Sequence, residues 1–392
     1  MTTKHLIAAV FVALGALSCS KKPLPDLKPN FVRDVPTDSV ESVIFWIGDA
    51  GNAEWGKFPI LHKLSGDIDQ WARTLDRDSS VAVVFLGDNV YPGGVHDPGT
   101  IDFPGDSIHL EAQVDVMRSP GARSSKSFAV FLPGNHDWGH KFGAEGERRL
   151  KNQSDFLARR RAQGIRVALL PASGTPGPAV IDVGRHTRIL IIDTAWWLLA
   201  PNLPEKNQLM DRVLAAMSTA GERNVAIATH HPYKSASAHG GVQPIWAGLG
   251  IKWLLTKSGA ALQDLNSLPY RDFLDRLEVI FERTGPPLLF AGGHDHVLQV
   301  IKGTQKLDPR FMIVSGAGSK SSQVGHIDGM VYRGNQPGYM RMIVKKNGGV
   351  DLYVVSAPEE FMTCNRGLED LNQQCIAAGV QAFKTTYSMT LR

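Results

Sequence analysis

Five times along this chain, a short β-branched or aromatic run passes directly into a polar cluster. The clusters are Gly48-Asp49-Ala50-Gly51, Gly87-Asp88-Asn89-Val90-Tyr91, Gly134-Asn135-His136-Asp137, Thr229-His230-His231-Pro232 and Gly293-His294-Asp295-His296. The runs before them, residues 43–47, 81–86, 128–132, 225–228 and 288–291, read as strands, and 188–192 reads as a sixth. In α/β sheets the carboxyl ends of strands meet at one edge, so residues distant in sequence converge there. An architecture that kept these strand ends apart would leave all five clusters unexplained.

Between the strands lie segments of helical period. Leu61, Leu64, Ile68, Trp71 and Leu75 recur at three- and four-residue steps, as do Phe273, Leu274, Leu277, Ile280 and Phe281. Residues 311–314, 339–344 and 350–355 are strand-rich, and suggest a second sheet. The expected fold is α/β, a four-layer sandwich of two central mixed β-sheets flanked by helices. A chain of 392 residues, 43% hydrophobic, can bury the core this needs, and residues 41–392 read as one domain. Residues 92–105 and 233–267 lack regular pattern, and long irregular loops often wall a site.

The first residues carry a different message. Lys4 precedes an apolar run over residues 6–17 that ends in Ser18-Cys19-Ser20, so residues 1–19 read as an export signal. The run is short for a membrane span. The cysteine at its end resembles a bacterial lipobox, although Ala16 stands where that motif more often has Leu. Lipidation at Cys19 predicts a periplasmic or cell-surface lipoprotein; plain cleavage nearby would release a soluble one. Residues 20–40, with four prolines, read as a tether. An oxidising compartment favours a disulfide between Cys364 and Cys375, against the alternative of two free thiols. The net charge of +4 is too slight for a nucleic-acid footprint.

Taken singly, the clusters have plain explanations. Asp49 or Asp88 beside a glycine suits a turn, as does Asn135; a lone His230 is more often structural, and a lone Tyr91 more often packs. Together they supply two carboxylates, an amide, a phenol and three imidazoles. That is a mixed oxygen and nitrogen set, suited to hard or borderline metals, and no cysteine lies near it. Burying so many polar groups together without a cation is costly.

The order GDxG, GDxxY, GNHD, a strand-end His and GHxH, over roughly residues 42–300, resembles the calcineurin-like metallophosphoesterase superfamily and within it the purple acid phosphatase branch. The small tartrate-resistant type is the most similar in character. Most of the superfamily has Asp-x-His at the first motif, where this chain has Gly51; Tyr91 supplies the missing group. The resemblance implies that Asp49, Asp88, Tyr91 and His296 hold Fe(III), and that Asp88, Asn135, His230 and His294 hold Fe(II), Zn or Mn, with Asp88 bridging. It implies catalytic roles for His136 and His239, and assigns His231 to packing or to a bond behind the ligands. Asp137 is expected to orient His136 or a ligand, or to serve the turn.

The activity implied is hydrolysis of small phosphate monoesters by a hydroxide activated at a dinuclear metal centre. A phosphodiesterase or nucleotide hydrolase on the same centre is the alternative, and a non-catalytic surface binding protein is a third reading. Ser315-Gly316-Ala317-Gly318-Ser319 reads as a turn rather than a phosphate cradle.

Overall fold

The computed structural model describes residues 35–392 except 77, 202, 238, 241–262 and 366. The export signal and most of the tether therefore lie outside the described residues, as does most of the second loop. From residue 35 the chain makes a 3₁₀ turn, Thr37–Ser39, and enters its first strand at once.

The chain builds half of one sheet, then the whole of another, then returns to finish the first. Strands β1 (Val40–Ile47), β2 (Ser80–Phe85), β3 (Phe128–Phe131) and β4 (Val167–Leu169) run parallel. The second sheet follows: β5 (Ala179–Val183), β6 (Thr187–Ile191), β7 (Asn224–Ala228), β8 (Leu289–Gly292), β9 (Leu298–Lys302), β10 (Phe311–Ser315) and β11 (Met330–Gly334). Strands β12 (Gly338–Lys345), β13 (Val350–Ser356) and β14 (Lys384–Thr390) then extend the first sheet antiparallel from β1. The two seven-stranded sheets are ordered β14-β13-β12-β1-β2-β3-β4 and β11-β9-β10-β8-β7-β6-β5.

This is the two-sheet mixed α/β sandwich expected, but its sheets divide the chain differently. The C-terminal strands do not form a second sheet of their own: β10 pairs with β8, while β12 pairs with β1. Local pattern identifies a strand but carries no record of its partner, which long-range packing selects.

Alternation along β1 explains the layering. Ile44 and Trp46 point between the sheets and pack with Val84, Ile191, Ala228 and Ala291. Val43, Phe45 and Ile47 point outward, in one cluster with Ile60, Leu61, Leu64 and Ile68 of helix Pro59–Thr74. Every residue of β1 is buried, so this strand has no polar face. Each large apolar side chain so placed contributes about 1.5–3 kcal/mol relative to exposure. On the other outer face, helix Leu268–Thr284 buries Tyr270, Phe273, Leu277, Ile280 and Phe281. Its N-cap Ser267 accepts the Tyr270 N–H, and Gly285, at φ 80°, ends it. Among the described residues, no helix is long and apolar enough to cross a membrane. Cys364 and Cys375 are joined, fastening the loop after β13 to helix Glu369–Ala382.

Candidate metal centre

All five clusters open at the carboxyl ends of parallel strands, three from the first sheet and two from the second. Backbone bonds stitch these ends together. Asp49 N–H donates to Gly87 O at 3.0 Å, and Gly293 N–H donates to His230 O at 2.8 Å. Three of the seven expected ligands, Asp49 (φ 60°), Asp88 (φ 53°) and His294 (φ 66°), sit in the left-handed region. Such backbone costs of order 1–3 kcal/mol per residue and collects where function needs a side chain aimed against local preference.

The seven side chains converge as two groups of three joined by one carboxylate. In the first group the Tyr91 hydroxyl donates to Asp49 Oδ1 at 3.0 Å and lies 3.1 Å from His296 Nε2, which is 3.5 Å from the same Asp49 oxygen. In the second, His230 Nε2 lies 2.9 Å from Asn135 Oδ1 and 3.2 Å from His294 Nδ1. Asp88 joins them, with Oδ1 3.3 Å from His230 Nε2, and with Asp49 and His230 it forms a buried group fit to hold a metal ion. Oxygen and nitrogen ligands stand about 2.0–2.2 Å from a transition metal, so atoms sharing one ion at right or tetrahedral angles are about 3.0–3.5 Å apart. The spacings among these side chains, 2.9–3.5 Å, match that range.

Burial and charge favour a cation here. Asp49, Asp88, Asn135, His230 and His294 are each at most 4% exposed. Burial opposes ionisation of Asp88, but His230 and His136 prevail and hold its carboxyl below the ordinary range. Reciprocally, burial pushes His230 down while Asp88 and Asp49 pull it up to about 9. Two carboxylates thus attract a positive charge to the point where the donor atoms meet, a place where a metal ion could stand in for that proton. Burial first, then the neighbouring imidazoles, keep His294 well below its ordinary pKa, in the neutral form that ligates. Burial, with Asp49 and Asp88, holds Tyr91 as a phenol well above its ordinary pKa; a cation in contact is what favours the phenolate.

The orientation of each imidazole is fixed from behind. His230 Nδ1–H donates to Leu86 O at 2.8 Å, and His294 Nε2–H to Gln263 O at 3.0 Å. His231 points away from the ligand atoms: Nδ1 meets Thr194 Oγ1 at 2.9 Å and Nε2 meets Gln263 Oε1 at 3.1 Å. Gly51 shows why the first motif carries no third ligand, because a Cβ there would lie 2.5 Å from Asp88 O.

His136 and His239 flank the centre. His136 Nδ1–H donates to Pro92 O at 2.6 Å, leaving Nε2 3.8 Å from Asp88 Oδ2. Its ring meets the edge of Tyr91. His239 lies against His294, ring centroids 4.2 Å apart, and its Nδ1–H donates to Asp264 Oδ1 at 2.9 Å.

Among the described residues, Asp137 makes no hydrogen bond to the side chain of His136 or of an expected ligand. Its oxygens accept from Gly134 N–H, Asn89 N–H, Asn89 Nδ2 and Val90 N–H, clamping the second and third motifs together. Burial and Asp88 push it up to about 8, partly offset by those donors. The 315–319 segment is a support for Asp49: Gly48 N–H donates to Ser315 O at 2.7 Å, and the Ser319 hydroxyl binds Asp49 O.

Sequence reasoning missed several residues. His140 Nε2 lies 3.1 Å from His136 Nδ1, Gln263 and Asp264 hold three histidines, and Lys320 reaches the centre. His140 follows His136 by one helical turn's spacing, which was a usable signal; Gln263 and Asp264 sit in a patternless loop that offers none.

The arrangement defines a fold class, the two-sheet sandwich found in purple acid phosphatases and their structural relatives. One particular neighbour is GAP50, the anchor in the inner membrane complex of Plasmodium, at 15% identity over 86% of this chain and 95% of that one, TM-score 0.54. Another is a purple acid phosphatase from yellow lupin (Lupinus luteus) seeds, at 13% identity over 91% of this chain and 54% of that one, TM-score 0.52. This chain spans about half the length of the lupin enzyme. At these identities the likeness is one of fold. The sequence matches no family model and no curated protein.

Proposed function

We propose that this protein hydrolyses phosphate monoesters at a dinuclear metal centre, as an enzyme of the purple acid phosphatase kind and of its small tartrate-resistant type. The observation that carries the reading is the fall of seven side chains from five strand ends into two groups of three on Asp88. In this reading Asp49, Asp88, Tyr91 and His296 hold Fe(III), since a carboxylate pair and a phenolate are hard anionic donors. Asp88, Asn135, His230 and His294 hold Fe(II), Zn or Mn. Catalysis resides in one domain, residues 41–392, exported behind residues 1–19 and tethered by residues 20–40 as a periplasmic or cell-surface lipoprotein.

Bound metal ions supply a hydroxide nucleophile near neutral pH and compensate charge on the phosphoryl oxygens. The rest falls to the chain. His136, with Nδ1–H on Pro92 O, presents Nε2 from the Tyr91 side. His239, with Nδ1–H on Asp264, presents its ring from the His294 side. A phosphoryl group between them meets a proton donor on each flank, one to steady its oxygens and one to protonate the departing alkoxide. The backbone carbonyls behind His230 and His294 keep both rings aimed and in the ligating tautomer.

The anchor role in the GAP50 name is a reminder that this fold does not by itself imply catalysis. Support for an enzyme here comes from the presence of every ligand type together with two flanking histidines. Turnover of p-nitrophenyl phosphate and of bis-p-nitrophenyl phosphate by the metal-loaded protein tests the reading. Faster hydrolysis of the monoester is expected; preference for the diester would move the assignment to a phosphodiesterase, and no turnover of either would sink it.

A further inference from the structure

Lys320 directly follows Ser319, whose hydroxyl is bonded to Asp49 O, so the 315–319 segment delivers its side chain to the centre. The ammonium lies 3.2 Å from the centroid of the Tyr91 ring. The carboxylates of Asp88 and Asp49 are within its electrostatic reach. Yet among the described residues it has no hydrogen-bond acceptor and no ion-pair partner, although it is half-buried. A half-buried ammonium ordinarily finds a carboxylate or carbonyl, because ring contact alone replaces only part of its hydration. The same Tyr91 ring meets His136, with ring centroids 4.4 Å apart. An unpaired cation and a flanking histidine thus share one ligand's ring at the mouth of the site.

Resting on the phosphatase reading above, we propose that Lys320 binds the third non-bridging oxygen of a phosphate monoester and so selects monoesters against diesters. A monoester dianion carries three terminal oxygens. Metal ions held in the two halves would match two of them, and the third would meet Lys320 beside His136, the two groups that share the Tyr91 ring. In a diester that oxygen bears a carbon substituent, which offers the ammonium no charge and would lie against it. One charge-assisted hydrogen bond present for the monoester and missing for the diester is enough to set about tenfold discrimination.

Three proteins decide the matter: wild type, Lys320→Met and Lys320→Arg, each metal-loaded, with metal content and thermal melting recorded. Calorimetric binding of inorganic phosphate gives a readout that needs no turnover. The expected result for Lys320→Met is phosphate affinity weakened about tenfold, kcat/KM for p-nitrophenyl phosphate lowered about tenfold, and kcat/KM for bis-p-nitrophenyl phosphate changed less than about twofold. Metal content stays at the wild-type level, and Lys320→Arg keeps most of the phosphate affinity. Equal losses for both esters, or unchanged phosphate affinity in Lys320→Met, overturn the assignment of Lys320 while leaving the phosphatase reading in place. Failure of the wild type to bind phosphate or hydrolyse either ester overturns both. If Lys320→Met does not fold, loss of phosphate affinity in the folded Lys320→Arg protein overturns the assignment, since the charge is kept.

Discussion

The two halves of the centre are built from the same strand ends but from different chemistry. Around Tyr91 the donors are a carboxylate, a phenol and one imidazole, and His296 and His136 are about a quarter exposed. Around His230 they are an amide and two imidazoles, all at most 4% exposed and with both rings pinned by backbone carbonyls. One half offers an anionic carboxylate and a phenol beside a partly exposed imidazole; the other offers only an amide and imidazoles, and is sealed. The lesson is that donor type, rather than donor count, separates them, and the proposed assignment of a higher-charged ion to the first half and a divalent ion to the second rests on that difference alone.

That contrast can be broken most severely at the residue both halves share. Asp88→Asn is expected to cut kcat about 10⁴-fold and to leave fewer than one bound ion per chain, read by elemental analysis beside steady-state kinetics. Two ions retained would remove Asp88 from the bridging position.

The next pair separates the halves. Tyr91→Phe should lose the ion of the first half and any phenolate charge-transfer band, with activity down about 10³-fold; His230→Ala should lose the other ion and keep the band, at a similar cost. If each variant loses both ions, the halves are one cooperative unit and the contrast in donor type explains nothing.

His136→Ala is expected to lower kcat about 10²-fold with metal content unchanged, because its ring flanks the centre without joining either group. A comparable fall in bound metal would make it a ligand. The smallest effect belongs to Gln263→Ala. It removes the side-chain bond to His231 but keeps the carbonyl that orients His294, so affinity for the second ion should fall only about twofold in a chelator competition. A loss above about tenfold would show that the side chain, rather than the backbone, aims the ring.

Much of the centre is legible in the sequence. Strand-end positions for Asp49, Asp88, Asn135, His230 and His294 follow from short buried runs that stop at a glycine or a polar pair, a local signal that survives without partners. Pairing was not legible: nothing in residues 339–344 says that β12 joins β1 rather than β10, since both of those candidate partners are fully buried strands. The supports of the centre were hidden for a related reason. Asp137 looks like a turn residue and acts as a clamp across 48 positions, and Lys320 looks like a loop lysine until Ser319 is seen bound behind Asp49. Those roles depend on distance in space, which a single sequence does not encode.

Anomalous diffraction from metal-loaded crystals tests the central claim most directly. Two peaks are expected, one among Asp49, Tyr91 and His296 and one among Asn135, His230 and His294, about 3.5–4 Å apart with the Asp88 carboxylate between them. A single peak, or ions bound away from these residues, would contradict the account.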